Sequence, residues 1–344
     1  MTDLPRHGRV TPPTQFRPAW WLPGPHAQTL WAALATQPTL PPLRRERVEL
    51  PDGDFLDLDH TDSTGGPCVL VLHGLEGGRD SPYVRALLGG LAKLGWRGVL
   101  LNLRGCSGEM NRLPRAYHSG DTQDLAFVAA LLRARLGTAP LMGVGFSLGG
   151  NQLLKYLGET AAEALLDAAV AVSVPFDLAR AADRLAQGFS RLYQRHLVGR
   201  LQAKVARKSR SLPGYPLEVG ELRAWRDFRT FDDRVTAPLN GFRDADDYYA
   251  RSSCRPFIRH IARETLVIHA ADDPFLPVDA IPRADELAAT VTLELAARGG
   301  HVGFIEGAMP WRASRWLEPR ILQFLAACLE GRQNDPTSAR IAPR

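Results

Sequence analysis

The pentapeptide Gly145-Phe146-Ser147-Leu148-Gly149 constrains this chain more than any other feature of its sequence. It lies between a strand-like apolar run, Pro140–Phe146, and a helix-like run, Leu148–Leu157. A serine at such a junction occupies a sharp strand-to-helix turn with strained backbone angles. Glycines flank it because nearby Cβ atoms would clash. A bare G-x-S-x-G is common by chance; the strand–turn–helix context is what gives this one weight.

The rest of the chain supplies a sheet around that turn. Arg47–Leu50 and Phe55–Asp59, joined by Pro51-Asp52-Gly53-Asp54, read as an opening antiparallel hairpin. Cys68–Leu72, Gly98–Leu103, Ala168–Val174, Thr265–Ala271 and Val291–Ala296 are short apolar runs that read as buried strands. Helical spacing runs through Ser81–Leu94 and Thr122–Leu136, and Trp311–Leu329 reads as a closing helix. The alternation predicts an α/β fold, with a mostly parallel sheet of about eight strands and helices on both faces. The rhythm breaks between the sixth and seventh strands. Residues 1–45 therefore read as an N-terminal arm packed on the core and 46–175 as the first part of the core. Residues 176–263 read as a helical cap over the carboxyl ends of the strands, 264–332 as the second part of the core, and 333–344 as a disordered tail.

A serine hydroxyl needs a base to take its proton. Of nine histidines, His301 in Gly299-Gly300-His301-Val302-Gly303 alone follows both Ser147 and a suitable carboxylate, in the chain order Ser…Asp…His. That carboxylate must hold the imidazole in one tautomer and stabilise its charged form. Asp273, four residues ahead of the turn proline Pro277, is the expected acid, and Asp272 beside it is expected to bond local backbone. Backbone N–H groups must face the oxyanion. The amides of Leu148, after the serine, and of Leu75, in His73-Gly74-Leu75-Glu76-Gly77-Gly78, are the candidates. His118, Asp121 and Asp124 read as helix-capping chemistry rather than a metal site, and Cys106 as a buried thiol.

Composition narrows the function classes. The pI near 9.2 invites a nucleic-acid reading. The charge is local, however: residues 180–234 carry +7 and the whole chain +5, which leaves −2 elsewhere. No zinc-finger, helix-turn-helix or aromatic RNA-binding pattern accompanies it, so nucleic acid is not an expected partner. Four widely spaced cysteines, and no apolar secretory run in Met1–Pro13, set the expectation of a reduced, cytoplasmic protein. Within the basic stretch, Leu197, Val198, Leu201 and Val205 recur at helical spacing. Two readings follow. The helix packs this stripe on the domain and solvates its basic face, or Arg200, Lys204, Arg207 and Lys208 dock it on an anionic membrane surface.

Longer motifs carry a family resemblance. Asn102-Leu103-Arg104-Gly105-Cys106-Ser107-Gly108-Glu109, Asn111-Arg112, Tyr117-His118-Ser119-Gly120, Gly145-Phe146-Ser147-Leu148-Gly149-Gly150-Asn151, Asp272-Asp273-Pro274-Phe275 and Gly299-Gly300-His301-Val302-Gly303-Phe304 resemble the YheT-type branch of the α/β hydrolases. Trp21-Leu22 and His26-Ala27-Gln28-Thr29 fit the same branch, so the resemblance spans about residues 16–325. It implies the α/β-hydrolase fold and a Ser147–Asp273–His301 triad with no cofactor. It also implies an acyl ester as substrate, with carboxylesterases, monoacylglycerol and phospholipid lipases, and acyl-CoA:alcohol acyltransferases among the relatives. Hydrolysis through an acyl-serine is the expected reaction, and acyl transfer to an alcohol or a binding protein without turnover are the alternatives. One departure is Arg263-Glu264 at a strand entry where the branch has a proline.

Overall fold

Five consecutive apolar residues, Cys68–Leu72, have almost no accessible surface. A strand can be buried on both sides only in the middle of a covered sheet. The computed structural model describes residues 7–333 except Thr14 and Thr36, and it places this strand near the centre of a nine-stranded sheet. In chain order the strands are β1 (Arg9–Thr11), β2 (Leu43–Glu49), β3 (Phe55–Thr61), β4 (Cys68–Leu72), β5 (Arg97–Asn102), β6 (Leu141–Phe146), β7 (Ala168–Val172), β8 (Glu264–Ala270) and β9 (Val291–Ala296). They are arranged β1-β9-β8-β7-β6-β4-β5-β3-β2. β2, β3 and β5 pair antiparallel; every other pairing is parallel. A small hairpin, β10 (Ile305–Glu306) and β11 (Ser314–Arg315), stands apart.

Alternation along the strands feeds two cores. Leu70 and Leu72 join Val128 of helix α3 (Gln123–Leu136) and Leu153 of α4 (Leu148–Thr160) on one face. Val69 and Val71 meet Leu87 and Leu91 of α2 (Pro82–Lys93) and Ile321 of α10 (Leu317–Gln333) on the other. Each fully buried Leu or Val contributes roughly 1.5–3 kcal/mol, so the double cover makes β4 an anchor of the fold. From β4 the chain passes to β5 on one side and then crosses back to β6 on the other. A crevice opens where strand order reverses, at the carboxyl ends of β4 and β6.

The insertion between β7 and β8 contains α5 (Leu178–Leu185), α6 (Ser190–Ser211), α7 (Phe228–Phe231), a π-helical stretch Asp232–Thr236, α8 (Ala237–Leu239) and α9 (Ala245–Ser252). It has an apolar cluster of its own around Val198, Phe231, Val235 and Tyr249. The N-terminal segment contributes helix α1 (Gly24–Leu34) and, beyond expectation, β1 as a ninth strand. Three residues are too few to show a period of two. The closing helix starts at Leu317 rather than Trp311, because Pro310–Arg312 forms a single tight turn and Ser314–Arg315 pairs with Ile305–Glu306. The tail expected at 333–344 lies outside the described residues beyond Gln333.

Buried histidines make this core sensitive to acid. His269 of β8 is fully buried, and among the described residues neither ring nitrogen has a hydrogen-bond partner. Burial lowers its pKa to about 4. Unfolded, it takes up a proton near its ordinary value of about 6.5. Between those two values the unfolded chain binds a proton that the folded one refuses, so its contribution to stability is full above about 6.5 and lost as pH falls towards 4. His269→Leu should therefore flatten the acid limb: its Tm relative to the parent should rise as pH falls from 6.5 to 4 in thermal melts. Parallel melting curves across that range would show that His269 is protonated in the folded protein.

Candidate active site

Ser147 caps α4 with φ 51° and ψ −119°, a left-handed conformation that costs a non-glycine residue about 1–3 kcal/mol. The turn is held by its amide donating to Val172 O at 2.8 Å and its carbonyl accepting from Asn151 N at 3.0 Å. The glycines are required by distance. A Cβ on Gly145 would lie 2.4 Å from Gly149 O, and one on Gly149 would lie 2.6 Å from the carbonyl oxygens of Leu72 and His73. Glu76, Ser173, Val302 and Phe304, in the loops that follow β4, β7 and β9, also have φ near +50°. Backbone strain is therefore concentrated at the carboxyl edge of the sheet, where functional sites store it.

His301 and Asp273 reach the serine from neighbouring strands. His301 Nε2 lies 2.9 Å from Ser147 Oγ, and Nδ1 lies 2.8 and 3.1 Å from the two carboxylate oxygens of Asp273. An ionised carboxylate only accepts, so Nδ1 carries the hydrogen and Nε2 is left to accept from the serine hydroxyl. Asp273 is buried, its Oδ1 also accepting the Phe275 amide at 2.8 Å. Phe275 stacks flat on the imidazole, centroids 3.9 Å apart and planes 4° from parallel. The three residues selected from sequence thus meet in one hydrogen-bonded chain.

Several supporting residues are not visible as such in the sequence. The histidine loop is fixed by Asp272 Oδ1, which accepts the amides of Gly299 at 2.9 Å and Gly300 at 3.0 Å. These amides are 27 and 28 residues away, so the local-backbone role expected for Asp272 is corrected to a bond between two loops. Thr29 Oγ1 accepts the His301 amide at 2.9 Å, Ser173 Oγ accepts the Val302 amide, and Gln28 bonds both backbone groups of Ile305. The N-terminal segment is thus a buttress for the histidine. The motif His26-Ala27-Gln28-Thr29 was the available signal, but nothing in its spacing connects it to a loop 272 residues on.

The loop after β4 shows which amide is free. Gly74 N donates to Tyr83 OH, Glu76 N to Tyr117 OH, Gly77 N to Gly74 O and Gly78 N to Ser81 Oγ. Only Leu75 N is left without a partner among the described residues, as is Leu148 N at the start of α4. A Cβ on Gly74 would lie 3.3 Å from Ser147 Cβ, so this loop lies against the serine. Glu76, buried and at φ 53°, accepts hydrogen bonds from Tyr117 OH at 2.8 Å and from Lys204 Nζ. Lys204 belongs to α6, so the insertion is bonded to the residue beside Leu75. The same ammonium lies 3.1 Å from Cys106 Sγ, whose thiol pKa is raised by burial.

The apolar stripe of Val198 and Val205, with Leu197 and Leu201, is packed as one reading expected, but both readings are corrected for two of the cations. Lys204 and Lys208 face inward. Lys208 Nζ donates to Arg115 O at 3.0 Å, and burial draws its pKa down to about 8. These two cations form neither a solvated face nor a membrane-binding one. Asp121 and Asp124 stay at the start of α3, as expected, Asp121 accepting the Gln123 amide, but each also pairs with an arginine: Asp121 with Arg115 through one contact, and Asp124 with Arg104 through two.

Two clefts meet at Ser147 and His301. One runs beneath the insertion through Leu148, Val174, Leu178, Leu185, Leu201 and Phe228. Its wall includes the carboxyl group of Asp232, which burial pushes up to about 6 and which accepts from Thr236 and Tyr249 hydroxyls. The other cleft is open and runs between α1, the loop after β4 and the first half of α6, past Leu30, Leu34, Phe189 and Leu192.

A strand-order switch, a serine on a glycine-flanked turn and a histidine–aspartate pair at the carboxyl edge define the α/β-hydrolase class. Residues 67–308 match the α/β hydrolase fold family, and the chain belongs to it. The chain is 44% identical over 292 residues to YheT of Escherichia coli (strain K12), a protein named only provisionally as an esterase, covering 83% of this chain and 86% of that one. Phospholipase ABHD3 of Bos taurus is 31% identical over 326 residues, 92% of this chain and 79% of its own. The monoacylglycerol lipase of Saccharomyces cerevisiae is 32% identical over 294 residues, covering 82% and 63%. A solved structure of the Pyrococcus furiosus esterase Pf2001 shares the fold, with a TM-score of 0.53 at 16% identity over 92% of this chain and 99% of that one.

Because a single oxygen of Asp272 accepts both loop amides, Asp272→Asn can keep both bonds and Asp272→Ala neither. Denaturant unfolding should show a loss of about 1–3 kcal/mol for the alanine variant and a much smaller one for the asparagine. Equal losses would mean that the charge, not the acceptor, holds the loop.

Proposed function

We propose that this chain hydrolyses carboxylic esters of apolar acids through an acyl-serine intermediate, with Ser147 as nucleophile, His301 as base and Asp273 as its orienting acid. The observation that carries this reading is the unbroken Asp273–His301–Ser147 hydrogen-bond chain beside two unpaired amides, Leu75 and Leu148. Ser147 Oγ attacks the carbonyl carbon as its proton passes to His301 Nε2, and Asp273 stabilises the imidazolium. The carbonyl oxygen becomes an oxyanion that takes hydrogen bonds from the two amides. Collapse breaks the C–O bond to the alcohol, which leaves with the proton from His301. Water, deprotonated by the same imidazole, then attacks the acyl-serine and releases the acid. The names of the relatives support an ester or lipid substrate. So do the two apolar clefts: the one under a cap formed by 176–263 suits the acyl chain, and the other the alcohol.

Ser147→Ala should abolish hydrolysis of a p-nitrophenyl acyl ester and labelling by a fluorophosphonate, while circular dichroism stays that of the parent. Loss of a triad nucleophile costs several orders of magnitude. Labelling retained by the variant would identify a different serine.

Lys204 acts at a distance, through Glu76, on the amide of Leu75. Lys204→Met should lower kcat on a soluble ester by roughly tenfold to a hundredfold, less than removal of an oxyanion donor, with little change in KM. Affinity for a boronic acid, which mimics the tetrahedral state, should fall in parallel, and Lys204→Arg should recover part of both. A rise in KM alone would make Lys204 a ground-state binding residue instead.

A further inference from the structure

The described residues expose nine large apolar side chains, and three of them line the open cleft: Leu34 at 72%, Phe189 at 46% and Leu192 at 53% exposure. Isolated exposed apolar residues are ordinary, but a group of them bordering the entrance to a reactive serine marks an interaction site. Leu34 ends α1, while Phe189 and Leu192 lie at the start of α6, so the pair of helices forms the two banks of the cleft.

The charge on the same banks is one-sided. Arg191, Arg195 and Arg200 are exposed along the first half of α6, and none pairs with a carboxylate among the described residues. Elsewhere on the insertion Arg180 and Arg229 have aspartate partners, Asp279 and Asp246, while the exposed Arg223 and Arg226 have no carboxylate partner among the described residues. The acid nearest the cleft, Glu76, is buried and already held by Lys204. Arg200 lines the cleft itself, and Arg191 and Arg195 lie within one turn of Leu192 on the solvent side of α6, so a cationic band borders the exposed apolar side chains.

We propose that this rim docks the protein on an anionic phospholipid surface, with Leu34, Phe189 and Leu192 entering the headgroup–acyl boundary and Arg191, Arg195 and Arg200 contacting lipid phosphates. Charge complementarity selects the occupant. Apolar side chains alone would suit any greasy partner, whereas basic residues beside a membrane surface each add about tenfold or less to binding to anionic lipid. A lipid ester then passes from the bilayer into the open cleft and meets Ser147 without crossing water. This rests on the ester-hydrolase reading above for its biological sense, but docking itself needs no turnover. The surface differs from the membrane-binding set expected from sequence: it uses the first half of α6, because Lys204 and Lys208 in the second half are turned into the protein.

The test uses full-length protein carrying Ser147→Ala, so that vesicles are not consumed. It should co-sediment with vesicles of phosphatidylcholine and phosphatidylglycerol at three to one, bind pure phosphatidylcholine several-fold more weakly, and lose binding steeply with salt, since exposed charges are screened within ~10 Å at 0.1 M. Adding Arg191→Gln with Arg195→Gln should weaken binding roughly thirtyfold. Leu34→Asp with Leu192→Asp should weaken it at low salt as well. Arg44→Gln with Arg259→Gln, exposed cations at the start of β2 and just before β8, at the opposite edge of the sheet, should change it less than about twofold. In the active protein, Arg191→Gln with Arg195→Gln should leave hydrolysis of a soluble short-chain ester unchanged, because neither residue lines a cleft. Absent vesicle binding, or equal losses from both arginine pairs, overturns the docking surface. Vesicle binding by a protein that cleaves no ester overturns the proposed activity and leaves the docking surface intact.

Discussion

The structure depends on one close approach, that of the turn after β6 to the carboxyl end of β4. Gly149 packs so tightly on the carbonyls of Leu72 and His73 that no side chain fits between them. This contact brings the loop carrying Leu75 against the serine. It also fixes α4, whose Asn151 bonds Ser119 O, Ser252 O and the Cys254 amide and so knits the helix to the loop after β5 and to the insertion. The left-handed backbone at Ser147 is tolerated because packing on both faces of β4 and β6 leaves the turn no other conformation.

Around that contact, each element of the site is held by a part of the chain remote from it in sequence. The histidine loop depends on Asp272 from β8 and Thr29 from α1; the loop after β4 depends on Tyr83, Tyr117 and Lys204. Such cross-bracing fixes the loops around Ser147 and His301 from several directions at once. It also couples the insertion to the chemistry. A helix that borders a cleft and also bonds the residue next to Leu75 cannot shift without disturbing both.

The basic character of the chain takes on a different meaning once folded. Residues 180–234 look uniformly cationic in sequence, yet their charges do three separate jobs. Lys204 and Lys208 satisfy buried acceptors, Arg180 and Arg229 pair with aspartates, and Arg191, Arg195 and Arg200 are exposed with no carboxylate partner among the described residues. A linear charge count cannot separate these, because burial decides whether a cation faces solvent, a carboxylate or a carbonyl.

The sequence by itself determined the sheet and the order of chemistry along it. Apolar runs such as Cys68–Leu72 read as buried strands, a glycine-flanked serine between strand and helix reads as a tight turn, and chain order leaves one histidine after Ser147 and Asp273. Those features are local, and local periodicity and steric rules read them. Tertiary structure alone decided the nine-strand order with β1 at its edge, the pairing of Asp121 and Asp124 with arginines, and the inward turn of Lys204 and Lys208. It also decided that Thr29 and Asp272 hold the histidine loop and that Leu75, among its neighbours, keeps a free amide. Each of these is a contact between residues tens or hundreds of positions apart. Such a contact leaves no trace in spacing, because it is set by how finished elements pack and not by how each one forms.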